Sequence, residues 1–300
     1  MKLFVFGLGY SAAFFAKRQL ARGHQVTGTV RSRAKASAMA EVGIAARVLG
    51  PDGGDDEIES DIATCDALLA SVPPDSDGDP VLRTYARQIA AAPNLRWLGY
   101  LSTIGVYGDH AGGWIDEQTP VNPANERSHC RASAEQEWLA LGVNKNVSVQ
   151  IFRLAGIYGP GRNQLVQMAQ GTARRVIKPG QVFNRIHVED IARVLEASVE
   201  GPRNGAIYNV ADNEPAPPQD VVAFAAQLCN RAPPPDTRLE DAVLTDMGRS
   251  FYAENKRVRN RLIHEELGVN LKYPTYREGL TALKAAGEGI VTGSKVDRLG

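Results

Sequence analysis

Short apolar runs alternate with Ala-rich and mixed segments through the first half of the chain. The first run starts at Lys2 and stops at Gly7, and the Ala-rich segment Ala12–Ala21 that follows has the composition of a helix. Strands and helices that alternate at short spacing are typical of a parallel sheet with right-handed crossovers. Further strands are predicted at Gln25–Val30, Ala45–Leu49, Cys65–Ala70, Arg96–Leu101 and Val147–Phe152, and further helices at Ala34–Glu41 and Asp79–Ala91.

The second half keeps helical patterns but adds proline-rich turns, which indicates a smaller appended lobe. In the first half, a loop is predicted at Gly50–Ile58, where Gly, Pro and Asp crowd together. We expect a sheet domain mainly at 1–170, a lobe mainly at 171–285 with elements that return to the sheet, and a flexible tail at 286–300. The helices predicted in the second half are Gln164–Gly171, Glu189–Glu200 and Gln219–Asn230.

Composition and charge narrow the class of protein. The 300 residues contain 34 Lys and Arg and 34 Asp and Glu, so no basic field exists to attract nucleic acid or an anionic membrane. The first apolar run is too short for a signal peptide or a membrane span. The three cysteines are too widely spaced for a disulfide framework or a metal site. We therefore expect a cytoplasmic protein, with no metal, whose partner is a small molecule.

A glycine turn joins the first strand to the first helix. Its pattern is Gly-x-Gly-x-x-Ala, from Gly7 to Ala12. Glycines let the backbone bend tightly and approach a pyrophosphate closely, while the free N–H groups at the helix start face the anion. We assign Gly7, Gly9, Tyr10 and Ser11 to a dinucleotide site in an α/β, doubly wound Rossmann sheet. An ordinary strand-to-helix turn is the alternative, because this pattern alone is not specific.

The second predicted strand ends in a basic segment. Arg31, Ser32 and Arg33 follow it, with no acid among them. At this place in dinucleotide folds an acid bonds the ribose 2′-hydroxyl, whereas a guanidinium pairs with a 2′-phosphate. Arg31 and Ser32 therefore favour NADP as the cofactor, with NAD still possible. The alternative is a solvated basic turn at the start of a surface helix.

The loop after the strand Cys65–Ala70 should pass over this cofactor. Pro73 and Pro74 carry no backbone N–H, so they cannot donate a hydrogen bond. Ser71 and Val72 are therefore the expected contacts in this loop.

Ordered motifs extend over nearly the whole chain, to about Ala285. The segment Leu101–Asp109 carries a Ser/Thr-rich strand end followed by Val-Tyr-Gly, and Asp116–Pro123 is an acidic loop that ends Pro-Val-Asn-Pro. Further motifs are Arg153–Arg162, Asn184–Ala192, Tyr208–Ala211, Asn255–Val258 and Tyr273–Leu280. Together they resemble the extended short-chain dehydrogenase/reductase family, in its epimerase/dehydratase branch. The resemblance implies hydride chemistry on a nucleotide-binding fold.

The family uses a Ser or Thr hydroxyl together with a Tyr-x-x-x-Lys pair, in which the lysine lowers the phenol's pKa. Thr103, four residues before Tyr107, matches the Ser or Thr. The tyrosine and lysine positions fall on His129 and Ser133, so neither residue of the pair is retained. His129 is a candidate proton relay, because imidazoles titrate near neutrality, or a surface histidine. Cys130 is a second candidate for reactivity, or a small apolar residue.

The resemblance also assigns residues after the strand Val147–Phe152. It places Leu154, Gly156 and Ile157 on the nicotinamide side of the site, and Tyr158 and Arg162 near the substrate cleft. Tyr158 is a candidate catalytic residue or, equally, a packing aromatic. Four basic residues could hold an anionic substrate or form a solvated face: Arg174, Arg175, Lys178 and Arg185.

Two functions follow as hypotheses. The first is an NADP(H)-binding oxidoreductase or epimerase/dehydratase-like enzyme with a replaced acid/base pair. The second is a non-catalytic NAD(P)-binding sensor. The family often pairs through the helices after the fourth and fifth strands, so a homodimer is a further expectation.

Overall fold

A seven-stranded parallel sheet forms the centre of the larger domain. The computed structural model describes residues 1–50, 55–145 and 147–290. The strand order is β11-β7-β5-β4-β1-β2-β3, and every neighbouring pair is parallel. This order confirms the doubly wound Rossmann class. The strands are β1 (Lys2–Phe6), β2 (Gln25–Val30), β3 (Ala45–Val48), β4 (Ala67–Ala70), β5 (Trp97–Thr103), β7 (Ser148–Leu154) and β11 (Ile207–Val210).

Helices cover both faces of this sheet because side chains alternate along each strand. On β1, Leu3 and Val5 join one apolar cluster, whereas Phe4 and Phe6 join the other. The first face carries α1 (Tyr10–Ala21), α2 (Arg33–Ala40), α7 (Val188–Glu200) and α10 (Arg261–Glu265). The second face carries α3 (Asp55–Thr64), α4 (Pro80–Ala91) and α5 (Glu126–Lys145).

Helix α3 corrects part of the sequence prediction. The loop predicted at Gly50–Ile58 is wrong from Asp55 onward, where α3 begins, and 51–54 lie outside the described residues. Ile58 and Ile62, four residues apart, are fully buried against the sheet. The burial of this helical stripe outweighs the loop-forming composition that precedes it.

The smaller lobe has its own apolar core. Tyr158, Leu165, Val221 and Tyr276 are among its buried members. Its helices are α6 (Gln164–Ala169), α8 (Pro218–Leu228), α9 (Asp246–Ala253) and α11 (Tyr276–Ala285). Three two-stranded parallel ladders complete the fold: β6 (Trp114–Ile115) with β13 (Arg257–Val258), β8 (Gly156–Tyr158) with β10 (Arg185–His187), and β9 (Arg175–Ile177) with β12 (Asp236–Arg238).

After the first lobe elements, the chain returns to the sheet through α7 and β11. In the part of the chain that the structure describes, no helix combines the length and apolar character needed to cross a membrane. The predicted tail begins after α11, and 291–300 lie outside the described residues.

Candidate functional site

The turn after β1 requires glycine at its first position. Gly7 has a φ of +84°, and an added Cβ would lie 3.0 Å from Cγ2 of Val72. Its N–H donates a hydrogen bond to Oγ1 of Thr29 on β2, at 2.9 Å. Ser71 extends the β1–β4 ladder, because its N–H donates to the Phe6 carbonyl at 2.9 Å. The predicted residues Ser71 and Val72 therefore lie beside the glycine turn.

Gly9 leaves the start of α1 open. It precedes the helix in an extended conformation, forms no side-chain cap, and an added Cβ would meet only the Gly7 carbonyl oxygen, at 4.0 Å. The first turn, from Tyr10 and Ser11 onward, contains no acid. Uncapped N–H groups, nearby open space and no negative side chain in this turn fit a diphosphate.

The end of β2 is basic and exposed. Arg31, Ser32 and Arg33 are all exposed, and Ser32 caps α2 by accepting a hydrogen bond from the N–H of Lys35 at 3.3 Å. Within the described ranges, Arg31 forms no ion pair. The segment therefore offers a free guanidinium and a helix N-terminus next to the glycine turn, which fits a 2′-phosphate.

Thr103 ends β5 at the same edge of the sheet. Its Oγ1 accepts a hydrogen bond from the N–H of Gly105 at 3.1 Å and so caps the short 3-10 turn Ile104–Tyr107. Because the hydroxyl acts there as acceptor, its proton is left to donate to another oxygen. An added Cβ on Gly105 would lie 3.1 Å from Oγ of Ser128 and 3.4 Å from Oγ1 of Thr103. Ser128 on α5 is therefore close to Thr103, which the sequence did not indicate.

The first turns of α5 carry the replaced acid/base positions. His129 and Ser133 are exposed, whereas Ser128 is buried against the 3-10 turn. The packing of Ser128 brings the start of α5 to the strand end that carries Thr103. Cys130 is half-buried. His129 and Thr103 therefore belong to the same end of the sheet.

A buried polar network includes Ser102, the residue that precedes Thr103 on β5. Ser102, Arg153 and Asn209 are register partners on β5, β7 and β11. Arg153, 4% exposed, donates to Glu135 of α5, 3% exposed, with Nη2 to Oε2 at 2.7 Å. Ser102 Oγ donates to the same carboxylate. Burial acts to lower the pKa of Arg153, but its bonds with Glu135 outweigh burial and raise that pKa.

Tyr107 contacts two members of this network, Arg153 and Asn209. The Arg153 guanidinium lies 4.7 Å from the centre of the Tyr107 ring. The Tyr107 hydroxyl donates to Oδ1 of Asn209 at 2.8 Å, and burial raises its pKa. Local sequence patterns did not reveal this cluster, because its five members come from five elements spread over the chain. The signal available was a charged residue, Arg153, at the end of an apolar strand.

The segment after β7 holds the remaining predicted contacts. Leu154 is buried at the end of β7, while Gly156 and Ile157 pair with Arg185 and Ile186. Tyr158 is 4% exposed, and its hydroxyl lies 3.4 Å from the Thr275 carbonyl oxygen. Burial raises the pKa of Tyr158, so its phenol keeps the proton at neutral pH. This environment fits the packing interpretation of Tyr158 better than proton transfer.

The four basic residues of the lobe contact protein groups. Arg174 donates to the Val243 carbonyl, Arg175 pairs with Asp236 at 2.6 Å, Lys178 donates to the Tyr252 carbonyl at 2.5 Å, and Arg185 donates to the Phe183 and Ala216 carbonyls at 2.9 and 3.2 Å. These contacts give each residue a structural role. They weaken the hypothesis that this set binds an anionic substrate.

His187 caps α7 from inside the core. It is 2% exposed, and its Nδ1 accepts a hydrogen bond from the N–H of Glu189 at 3.2 Å. Its ring packs against Tyr273 and Tyr158, with centroid distances of 4.1 and 5.1 Å. Burial lowers the pKa of His187 to about 4. The imidazole is therefore neutral in the folded protein at pH 7.

Folding stability is expected to fall by about 2 kcal/mol between pH 7 and pH 5 because of His187. Its pKa is about 4 in the folded chain and about 6.5 when unfolded, so the unfolded chain binds the proton first as pH falls. His187→Asn keeps a cap acceptor but cannot titrate. Urea unfolding at pH 7 and pH 5 gives the free energy of unfolding at each pH. The difference between the two values should be smaller in His187→Asn than in wild type, and the control His24→Asn should show the wild-type difference. Equal pH dependence in wild type and His187→Asn would contradict the assignment.

Comparisons with known proteins concern the sequence and the fold of this chain. The sequence model of the NAD dependent epimerase/dehydratase family matches residues 82–211. A solved structure of a functionally unknown conserved protein from Silicibacter pomeroyi is 49% identical, with 96% of this chain and 99% of that chain covered and a TM-score of 0.87. Protein YeeZ of Escherichia coli K12 is 29% identical over 285 residues, which cover 91% of this chain and 96% of YeeZ.

A more distant structure shows the shared fold alone. Human epimerase family protein SDR39U1, solved with NADPH, is 17% identical, with 95% of this chain and 99% of that chain covered and a TM-score of 0.72. The family model matches the middle of this chain, and the chain has the fold of NAD-dependent epimerases and dehydratases. The resemblance read from the sequence motifs is confirmed.

Proposed function

We propose that this protein binds NADP(H) and acts on a small molecule as an oxidoreductase or an epimerase/dehydratase-like enzyme. The observation that carries the proposal is the open start of α1 at Gly9, next to the exposed Arg31 at the end of β2, which pairs with no acid among the described residues. These two features match the two anionic groups of NADP. Structures that share this fold hold NAD in three cases and NADPH in another, so the preference for NADP rests on Arg31 and Ser32.

Different sets of the predicted residues would bind different parts of the cofactor. Gly7, Gly9, Tyr10 and Ser11 would hold the diphosphate, and Arg31 and Ser32 the 2′-phosphate. Ser71 and Val72 would border the nucleotide, while Leu154, Gly156, Ile157 and His129 would border the nicotinamide half. The bound cofactor would supply or accept a hydride.

Thr103 and His129 are the proposed catalytic pair. The Thr103 hydroxyl would donate a hydrogen bond to a substrate oxygen and orient it, since the Thr103 oxygen already accepts from the N–H of Gly105. His129, exposed at the start of α5, would exchange a proton with the substrate. Tyr158 stays a weaker candidate because its hydroxyl is buried in the lobe. A cytoplasmic location remains an expectation from the composition, and a homodimer through α4 and α5 remains one from the resemblance.

Arg31→Gln is expected to lower the affinity for NADPH about tenfold and to leave the affinity for NADH unchanged. The guanidinium forms charge-assisted hydrogen bonds only with a ligand that carries a 2′-phosphate. Fluorescence titration of wild type and variant with both cofactors measures this. Arg238→Gln, on a side chain that is 79% exposed on β12, is the matched control. An equal loss for NADH would refute selective recognition of the 2′-phosphate.

His129→Ala is expected to reduce turnover far more than Cys130→Ala. An imidazole at the replaced tyrosine position can relay a proton, whereas Cys130 is half-buried one residue further on. Absorbance at the NADPH band, followed with a panel of aldehydes, ketones and nucleotide sugars, gives the rate. Equal effects of the two substitutions would contradict the role of His129.

The second candidate is a non-catalytic NAD(P)-binding sensor. It is favoured by one observation: α5 presents His129 and Ser133 where the family carries its tyrosine and lysine. A protein that binds NADPH tightly but oxidises it with no member of the panel would support the sensor. A protein that binds neither cofactor at millimolar concentration would contradict both candidates.

A further inference from the structure

A rigid turn follows β8 and faces the start of α1. Gly159 and Arg162 close it with two backbone hydrogen bonds of 3.0 Å. Nδ2 of Asn163 donates to the Gly159 carbonyl at 2.8 Å, and Oε1 of Glu288 accepts from the N–H of Gly161 at 2.9 Å. The turn is therefore fixed from both sides, and its outer residue, Arg162, has a defined position.

Tyr10 joins this turn to the glycine turn of the cofactor motif. Its hydroxyl donates to the Pro160 carbonyl at 3.0 Å. Gly159 makes this contact possible, because an added Cβ would lie 2.7 Å from the Tyr10 hydroxyl oxygen. Burial raises the pKa of Tyr10 to about 12, so the hydroxyl remains a donor at neutral pH. The first residue of α1 thus anchors the turn directly beside the open N–H groups.

Arg162 carries a free positive charge at this place. Its guanidinium carbon lies 5.8 Å from the centre of the Tyr10 ring, and its side chain is exposed. In the described ranges it forms no ion pair. The carboxylate of Glu288, which holds the same turn, accepts hydrogen bonds from Gly161 and Asn163. The basic residues deeper in the lobe have protein partners, so Arg162 differs from them.

We infer that Arg162 is a diphosphate-binding residue of the cofactor site, positioned there by Tyr10. The inference rests on the proposed NADP(H) function, which assigns the diphosphate to the adjacent start of α1. A planar guanidinium forms two parallel hydrogen bonds with phosphate oxygens, and stacking on Tyr10 orients it. It would add charge from the opposite side of the cleft to the N–H groups of α1. The two halves of the protein would then hold the same group.

The test compares Arg162→Gln with Arg31→Gln by calorimetric titration with NADPH, NADH and ADP-ribose. All three ligands carry the diphosphate, and only NADPH carries the 2′-phosphate. Arg162→Gln is expected to lower all three affinities by the same factor, about tenfold. Arg31→Gln should lower the affinity for NADPH alone. Tyr10→Leu removes the ring next to the guanidinium. It should lower the affinity for ADP-ribose, as Arg162→Gln does.

Arg238→Gln is the control for a general loss of positive charge and should change none of the affinities. Because Arg162 is exposed, its substitution should leave the melting temperature unchanged. Unchanged affinities in Arg162→Gln would overturn the inference, and a loss confined to NADPH would place the residue at the 2′-phosphate instead. If wild type binds none of the three ligands, the proposed function itself fails. If wild type binds the ligands and Arg162→Gln binds them equally well, only the inference about Arg162 fails.

Discussion

Gly9→Asp is expected to lower the affinity for NADPH on the order of 100-fold while the protein stays fully folded. The backbone at Gly9 is extended, and an added Cβ meets no atom closer than 4.0 Å, so the free protein accommodates the side chain. Aspartate is also a good helix cap and satisfies N–H groups of α1. The same carboxylate then occupies the space of the diphosphate and repels it. Binding and stability should therefore change in opposite directions.

Fluorescence titration with NADPH and thermal unfolding together measure this result. The matched control is Thr245→Asp, which places the same side chain at the cap of α9, far from the glycine turn along the chain. Its affinity for NADPH should equal that of wild type. Undiminished binding by Gly9→Asp would show that the diphosphate does not lie at the start of α1.

Arg153→Met is expected to reduce the free energy of unfolding by about 3–5 kcal/mol. The substitution leaves the carboxylate of Glu135, 3% exposed, without its ion-pair partner in the core. It also removes the guanidinium that packs against Tyr107. The cost arises from an uncompensated buried charge rather than from the lost attraction alone. Urea unfolding of the two proteins at pH 7 measures the difference.

A surface pair provides the comparison for this effect. Arg261 and Glu265 lie one helical turn apart on α10, with 3.5 Å between Nε of Arg261 and Oε2 of Glu265. Their side chains are 71% and 53% exposed. Arg261→Met should cost less than about 0.5 kcal/mol, because solvent screens exposed pairs. A loss below about 1 kcal/mol for Arg153→Met would mean that Glu135 finds another partner or binds a proton in the variant.

Local patterns were sufficient to predict the glycine turn and the basic strand end on which the proposed cofactor site rests. The turn from Gly7 to Gly9 follows an apolar strand directly, so strand, turn and helix are contiguous in sequence. The same holds for Arg31, which immediately follows β2. Each feature needs only neighbouring residues, and periodicity and turn chemistry describe neighbours well.

Composition was misleading at α3. The cluster of Gly, Pro and Asp before residue 55 indicated a longer loop, whereas Ile58 and Ile62 show the spacing of a buried helical face. A short amphipathic segment gains its stability from the sheet it covers. The sequence alone does not display that surface.

The sequence by itself determined the order of the main-sheet strands, the glycine turn, the basic end of β2 and the resemblance to the epimerase/dehydratase family. Only the tertiary structure decided how distant residues are used. It aligned Ser102, Arg153 and Asn209 across three strands, brought Ser128 beside Thr103 and gave the basic residues of the lobe internal partners. It also placed the Arg162 guanidinium next to the Tyr10 ring, beside the glycine turn that follows β1. The reason is physical: backbone geometry is fixed by neighbouring residues, whereas burial and charge pairing depend on which surfaces meet when the chain folds.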